Sequence, residues 1–365
     1  MKPVGELRRG WTTGACAAAA ARAAYEALLT GRFPDPVEIE LPGGQRPQFA
    51  LSLEEIGEGF ARAGIVKDAG DDPDVTHGAL VVAKLSRGAA GSGIAFRAGE
   101  GVGTVTRPGL PLPVGEPAIN PAPRAMIRAA IEASAERLGG SLDVVVEIAV
   151  PGGAKIAERT LNGRLGIIGG LSILGTTGIV IPFSCSSWIH SIHRGIDVAR
   201  AEALPHIAGA TGDTSEKAVQ RLYGLPEAAL IDMGDFVGGM LKYLRFHPVA
   251  DVTVAGGVAK MSKLGQGLLD LHSRRGEVDL EWLAARAPSA LAADIAAANT
   301  AKHAFDLAAA AGVDLASPVA EAAFATAAKA VGAGARRLEI AVFDREGALL
   351  ARTGLRELHA APPSG

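Results

Sequence analysis

Cysteine is scarce in this chain. Of 365 residues only Cys16 and Cys185 carry thiols, far apart and outside any Cys-x-x-Cys pattern. That excludes a disulfide-stapled scaffold and a cysteine-rich metal site, and it fits reduced thiols in a cytoplasmic protein. Excess positive charge is missing as well. A net charge of −3 offers nucleic acid or an anionic membrane no general attraction, so a polyanionic ligand would need a local basic pocket. No lysine is followed by Ser or Thr, which removes the usual phosphate-binding loop. Internal repeats are absent. Residues 165–189 lack any charged side chain and are long enough to span a bilayer. Yet Gly166, Gly169, Gly170, Gly175, Gly178 and Pro182 interrupt them, which suits buried strands and turns better. Arg8-Arg9 before the alanine-rich run 15–24 mimics an export signal. Arg22 and Glu26 break that run, and alanine builds a better helix than a signal core.

What is present describes a folded chain with room for two domains, 48% apolar and 21% charged, with 47 glycines for tight turns and close backbone approaches. Thr12 or Thr13 should cap a helix running to about Leu29 and stopped by Gly31. Strands are expected at Val37–Leu41, Phe60–Lys67, Leu80–Leu85, Ile94–Arg97, Gly103–Thr106 and Val144–Val150. Gly99–Gly103 reads as a hairpin turn, and Pro121–Leu138 as a helix with prolines in its first turn. Helix Cys185–Leu204 would follow, as a bridge to the second half. There strands near 205–210, 229–232, 251–255 and 338–343 alternate with helices 215–222, 236–246, 258–269, 280–312 (broken near Pro288) and 318–331. Alternation of this kind implies parallel pairing with crossover helices. The fold expected is therefore a Gly-rich α+β domain over residues 1–195, an open parallel-sheet α/β domain of about four strands over 196–352, and a disordered tail, 353–365.

In an open parallel sheet, ligands bind beyond the carboxyl ends of the strands, against helix N-termini. The turns Gly212-Asp213-Thr214, Met233-Gly234-Asp235 and Gly256-Gly257 should meet on that rim. Their glycines admit a ligand to the backbone, and Asp213, Asp232 and Asp235 can accept from ribose hydroxyls. Alternatively, Thr214 or Ser215 only caps its helix. Lys260 and Lys263 either hold an anion or form the solvated face of theirs. His190 and His193 could reach one metal but lack a third ligand, so no metal site is expected.

Residues 67–78 place Asp68, Asp71, Asp72 and Asp74 beside Lys67 and His77. Two Gly and a Pro make this a loop, and like charges so close repel unless something cationic or hydrogen-bonding faces them. A calcium loop fails, because the twelfth position from Asp68, Asp71 or Asp72 is Ala79, Val82 or Ala83 rather than Glu.

Val66–Gly78 resembles a signature of the cobalt-precorrin-5B C-1-methyltransferase (CbiD) family, and so do further segments in the same order. These are Leu7–Ala19 (LRRGWTTGACAAA), Gly101–Leu110, Gly115–Pro121, Leu161–Gly170, Ile173–Val180, Gly212–Glu216, Asp232–Phe236 and Leu269–Ser273. The likeness spans roughly residues 7–350. It implies methyl transfer from S-adenosylmethionine to C-1 of cobalt-precorrin-5B, giving cobalt-precorrin-6A in anaerobic cobalamin biosynthesis. The cofactor would lie on the second domain against Gly212, Asp213, Thr214, Asp232, Gly234, Asp235, Gly256 and Gly257. The first domain would take the cobalt tetrapyrrole, whose carboxylates call for Arg8, Arg9, Lys67, Arg107, Arg124, Arg164, Lys260 and His272. Arg128 reads as an ordinary helix charge. Asp71, Asp72 and His77 are the candidate catalytic residues, with His77 serving either the substrate or the loop itself. A methyltransferase acting on a metal-free precorrin and a non-catalytic tetrapyrrole carrier stay open, as does a homo-oligomeric state.

Overall fold

Alanine decides how the first helix is used. Thr13–Thr30 starts where the Thr12 side chain accepts a hydrogen bond from Ala15 N–H, and it ends at Gly31 in the left-handed region. From Thr13 to Ala27 every residue except Arg22 is buried, so the helix has no solvent face and must be covered all round. On one side it meets the strands Phe60–Val66 and Leu80–Arg87, and on another the helix Pro121–Leu138. The structure, a computed structural model, describes residues 7–358 and divides into the units Met1–Ser184 and Cys185–Gly365. In the first unit five strands lie in the order Leu53–Gly57, Phe60–Val66, Leu80–Arg87, Val144–Ala149, Ile94–Ala98. All neighbours are antiparallel except the last pair, which is parallel.

The second unit carries a sheet in the order Leu230–Asp232, His206–Ala210, Val249–Gly257, Ala335–Phe343, Leu349–Arg352. The first four strands are parallel and the last runs antiparallel. Helix Asp213–Tyr223 covers the face bearing Ala208, Ala255 and Ala341 through Ala218 and Val219. Helices Val237–Leu244, Val258–Gly265 and Ala316–Val331 fill the other face, against Val252, Val254, Ile340 and Val342. One polar cluster lies inside the sheet. Glu339, fully buried, accepts hydrogen bonds from Tyr223 Oη and from Thr253 Oγ1 (3.1 Å). Burial first, then that carboxylate, push the Tyr223 phenol up to about 12.

Four expectations are corrected. Helix Cys185–Ala201 lies whole within the second unit, burying Ile192, Ile196 and Ala199 there, rather than being divided at residue 195. Gly99–Gly103 is no hairpin: Ile94–Ala98 pairs with Val144–Ala149, and Thr104–Val105 with Ile167–Ile168. The helix expected over 280–312 is three helices, Leu280–Ala284, Ser289–Ala296 and Ala301–Ala310, the last started by the side chain of Thr300. Finally, residues 353–358 are ordered. Arg356–Glu357 pairs with the strand Ala335–Phe343, and Arg356 grips Glu321 with two hydrogen bonds (2.7 and 2.5 Å). Residues 359–365 of the expected tail lie outside the described residues.

Glu26 ties the first unit together. Burial would raise its pKa, but hydrogen bonds from Arg137, Ser134 and Arg22 overcome this and hold it low. Arg137 contributes at 2.5 Å, Ser134 Oγ at 2.7 Å and Arg22 at 3.0 Å. Glu26→Ala should cost about 2–3 kcal/mol, seen as a lower urea midpoint with unchanged slope. An unshifted midpoint would show that this carboxylate organises nothing.

Candidate functional site

Segments distant in sequence form one layer of irregular chain in the first unit. Gly10-Trp11 pairs antiparallel with Ile179-Val180, while Trp11 N–H donates to the Asp68 carbonyl at 2.7 Å. Arg8 and Asp71 are joined twice, from Arg8 N–H to Asp71 Oδ2 (2.6 Å) and from Asp71 N–H to the Arg8 carbonyl (2.9 Å). The two backbones approach so closely that a Cβ at Gly10 or Gly70 would strike the facing main chain, and Gly70 also needs its φ of +68°. Gly14 N–H then reaches the Leu174 carbonyl (3.1 Å), Gly103 N–H the Leu171 carbonyl (2.9 Å), and Thr106 N–H the Gly166 carbonyl (2.7 Å).

The charges of the acidic loop are spent on holding this layer. Asp68 takes both arms of the Arg8 guanidinium, the second at 2.9 Å, and accepts from Gly70 N–H; these bonds lower its pKa to about 2. Lys67 is 1% exposed and bound to Asp74 at 2.5 Å, while Asp74 also takes Thr76 N–H and Oγ1. The expectation that Lys67 grips a substrate is therefore corrected: a buried, paired ammonium cannot reach one. Asp72 accepts from Phe183 N–H at 2.7 Å, and His77 Nδ1 accepts from Ala69 N–H at 3.1 Å. Asp71, Asp72 and His77 thus shape the loop. An Nδ1 acceptor leaves the proton of the neutral His77 ring on Nε2, on a side chain that is half exposed. Burial drives the Cys16 thiol up to about 12, too high for a nucleophile.

Among the expected arginines, Arg107 and Arg164 come together, the guanidinium of Arg107 lying 3.5 Å from the Arg164 carbonyl and its stem against Gly166. Arg8 is committed to Asp68. Arg9 is exposed, with no ion-pair partner among the described residues. Arg124 is another correction. It binds Glu116 (2.8 Å) and the Ile119 and Pro117 carbonyls, which staples the start of its own helix. Arg128 likewise donates to the Ile94 carbonyl at 2.9 Å.

In the second unit the three glycine turns lie at the carboxyl ends of neighbouring parallel strands. Met233 and Gly234 N–H groups both donate to the Ala210 carbonyl, and Thr211 N–H donates to that of Ala255. Gly212, Asp213 and Thr214 are exposed, and Asp213, its side chain 76% accessible, pairs with Lys217 one turn on. Gly256 is packed: a Cβ there would meet Met261 at 2.6 Å and Thr211 at 2.7 Å. By contrast, nothing lies within 4 Å of a Cβ built at Gly212, and the nearest atom at Gly257 is 3.9 Å away. Neither residue has a left-handed φ, at 167° and −75°. Asp235 and Lys260 are ion-paired with each other, so neither is free for a ligand; the expectation that Lys260 binds substrate is corrected on that ground. Asp232 is engaged as well, its carbonyl accepting from the Trp188 indole at 3.0 Å. His272 sits in an exposed turn, where its Nδ1 accepts from Arg274 N–H at 3.2 Å.

Asp68 and Asp74, not among the candidate site residues, make the ion pairs of the loop, with Arg8 and Lys67. A signal existed: each stands two residues before the N–H it binds, at Gly70 and Thr76, which is the spacing of an Asx-turn. Trp188, whose indole lies against Gly234, carried no sequence signal. No group of His, Cys, Asp and Glu among the described residues could hold a metal, and none of their helices is long and apolar enough to cross a membrane.

The chain matches two family models, CbiD over residues 2–182 and the CbiD C-terminal domain over residues 270–354. A protein of Bradyrhizobium sp. (strain BTAi1) named cobalt-precorrin-5B C(1)-methyltransferase is 67% identical, covering 95% of this chain and 93% of its own. A protein of the same name from Agrobacterium fabrum is 64% identical over 98% and 96%. Among solved structures, the cobalamin biosynthesis protein cbiD of Archaeoglobus fulgidus is 28% identical, covers 74% of this chain and 83% of its own, and gives a TM-score of 0.41.

The Lys67–Asp74 pair makes a pH-dependent prediction. Burial works to raise the pKa of Asp74, but Lys67 and the Thr76 donors hold it below 3.8. A depressed carboxylate stabilises the fold above its unfolded pKa, and the gain is lost as pH falls through the folded value. Asp74→Asn should therefore cost about 3 kcal/mol at pH 7, with the gap to the natural protein closing as pH falls below 3.8. A gap that persists unchanged in acid would contradict the pairing.

Proposed function

This chain belongs to the CbiD family, and from that premise we propose that it is an S-adenosylmethionine-dependent C-methyltransferase. It methylates C-1 of cobalt-precorrin-5B to give cobalt-precorrin-6A, in anaerobic cobalamin biosynthesis. One observation supports the cofactor rim above the others. Gly212 and Gly257 open helices on opposite faces of the sheet from two adjacent parallel strands, yet neither φ nor packing requires glycine at either place. Glycine is accepted at both N-caps, and its bare backbone there gives a ligand close approach to the helix starts.

The donor supplies an electrophilic methyl group on a sulfonium. Gly212, Asp213 and Thr214 lie exposed at one helix start, offering amides and a carboxylate to ribose hydroxyls. In the first unit Arg9, Arg107 and Arg164, exposed or half-exposed, are the cations for the carboxylates of the tetrapyrrole. Methylation leaves C-1 without a proton to remove, so no side chain need act as a base. That accords with Asp71, Asp72 and His77 being tied into the loop. Catalysis then rests on orientation and exclusion of water, and orientation alone can supply ~7–11 kcal/mol.

Gly257→Val tests this directly, since a Cβ there meets no atom closer than 3.9 Å. Thermal stability should be unchanged, while calorimetry shows S-adenosylmethionine affinity reduced by about tenfold or more. Methyl transfer to cobalt-precorrin-5B should fall with it. Full affinity in a stably folded variant would remove the cofactor from this rim.

A further inference from the structure

Trp188 stands in the first turn of the helix Cys185–Ala201, and its indole is fixed rather than loose. Its Nε1–H donates to the Asp232 carbonyl at 3.0 Å, at the carboxyl end of the strand Leu230–Asp232. The same ring covers Gly234: a Cβ there would lie 3.2–3.5 Å from three indole atoms. Phe236 supports it at a ring-centroid distance of 6.5 Å. Yet the residue is 45% exposed. Gly234 N–H is bonded to the Ala210 carbonyl, two residues before Gly212, so the indole occupies the strand end next to the open glycine turn. A large aromatic surface left in water while its polar edge is anchored is a prepared platform, since a flat ligand can cover it without reordering the side chain.

Resting on the reading that this rim takes the adenosyl donor, we infer that Trp188 is the stacking platform for its adenine. The turn at Gly234 then meets the ligand through the indole and not through its bare backbone. Base–aromatic stacking is worth ~1–3 kcal/mol per base, or about fivefold to 150-fold in affinity.

Calorimetry with S-adenosylmethionine and with S-adenosylhomocysteine, which share adenine but differ in sulfur charge, tests the inference. Trp188→Ala should weaken both by the same factor, about tenfold or more, and Trp188→Phe should keep most of the affinity. Both variants should melt as the natural protein does, because the ring is half exposed. Fluorescence gives a second readout. Of the three tryptophans, Trp11, Trp188 and Trp282, only Trp188 should be quenched by either ligand, so Trp188→Phe loses the ligand-dependent signal. Unchanged affinity of Trp188→Ala for both ligands would overturn the stacking role while leaving the rim intact. Loss for the charged ligand alone would overturn it too, since the ring would then serve the sulfonium. Failure of the natural protein to bind either ligand would instead overturn the underlying assignment of the rim.

Discussion

Two neighbouring strands of one sheet, His206–Ala210 and Val249–Gly257, send their chains to opposite faces, and the proposed chemistry depends on that divergence. The helix after the first packs on the alanine face; the helix after the second packs on the branched aliphatic face. Helices that leave in opposite senses turn their first amides toward the same edge of the sheet. Small residues preserve the opening. Thr211 and Gly256 touch at its base, where a larger residue at 256 would collide with Met261. Gly212 and Gly257 lie beside it, where a Cβ would meet no atom closer than 3.9 Å.

The first unit solves a different problem. A substrate bearing many carboxylates repels acidic residues, yet the family-like loop holds Asp68, Asp71, Asp72 and Asp74 within seven positions. Each is neutralised or hydrogen-bonded by the protein itself: Asp68 by Arg8, Asp71 by the Arg8 amide, Asp72 by the Phe183 amide and Asp74 by Lys67. The loop is thereby a brace that fixes the N-terminal segment against residues 174–183. Phe183 shows the strength of the brace, since it keeps a left-handed φ of 57° that only glycine adopts freely.

Much of the fold was legible because local signals and tertiary demands agree. Thr12 and Gly31 bound the first helix as capping chemistry requires, and Asn120 with its prolines starts the second. Strand-helix alternation after residue 205 yields the parallel sheet. What misled was pairing across long separations. Nothing local to Gly99–Gly103 reveals that its flanking strands take different partners, and nothing near Arg356 announces Glu321. The site was legible as segments but not as roles. Arg124 and Lys67 look like free cations in one dimension, and only the fold brings Glu116 and Asp74 within reach. Trp188 illustrates the converse, because a lone aromatic at the start of a helix gains meaning only from the turn beneath it.

A crystal structure of the protein with S-adenosylhomocysteine would show where the adenosyl group lies. Adenosyl density is expected against the turns at 212–214 and 257 and over the Trp188 indole, with the ribose hydroxyls near Asp213. Density elsewhere on the molecule, with those turns bare, would move the donor off this rim.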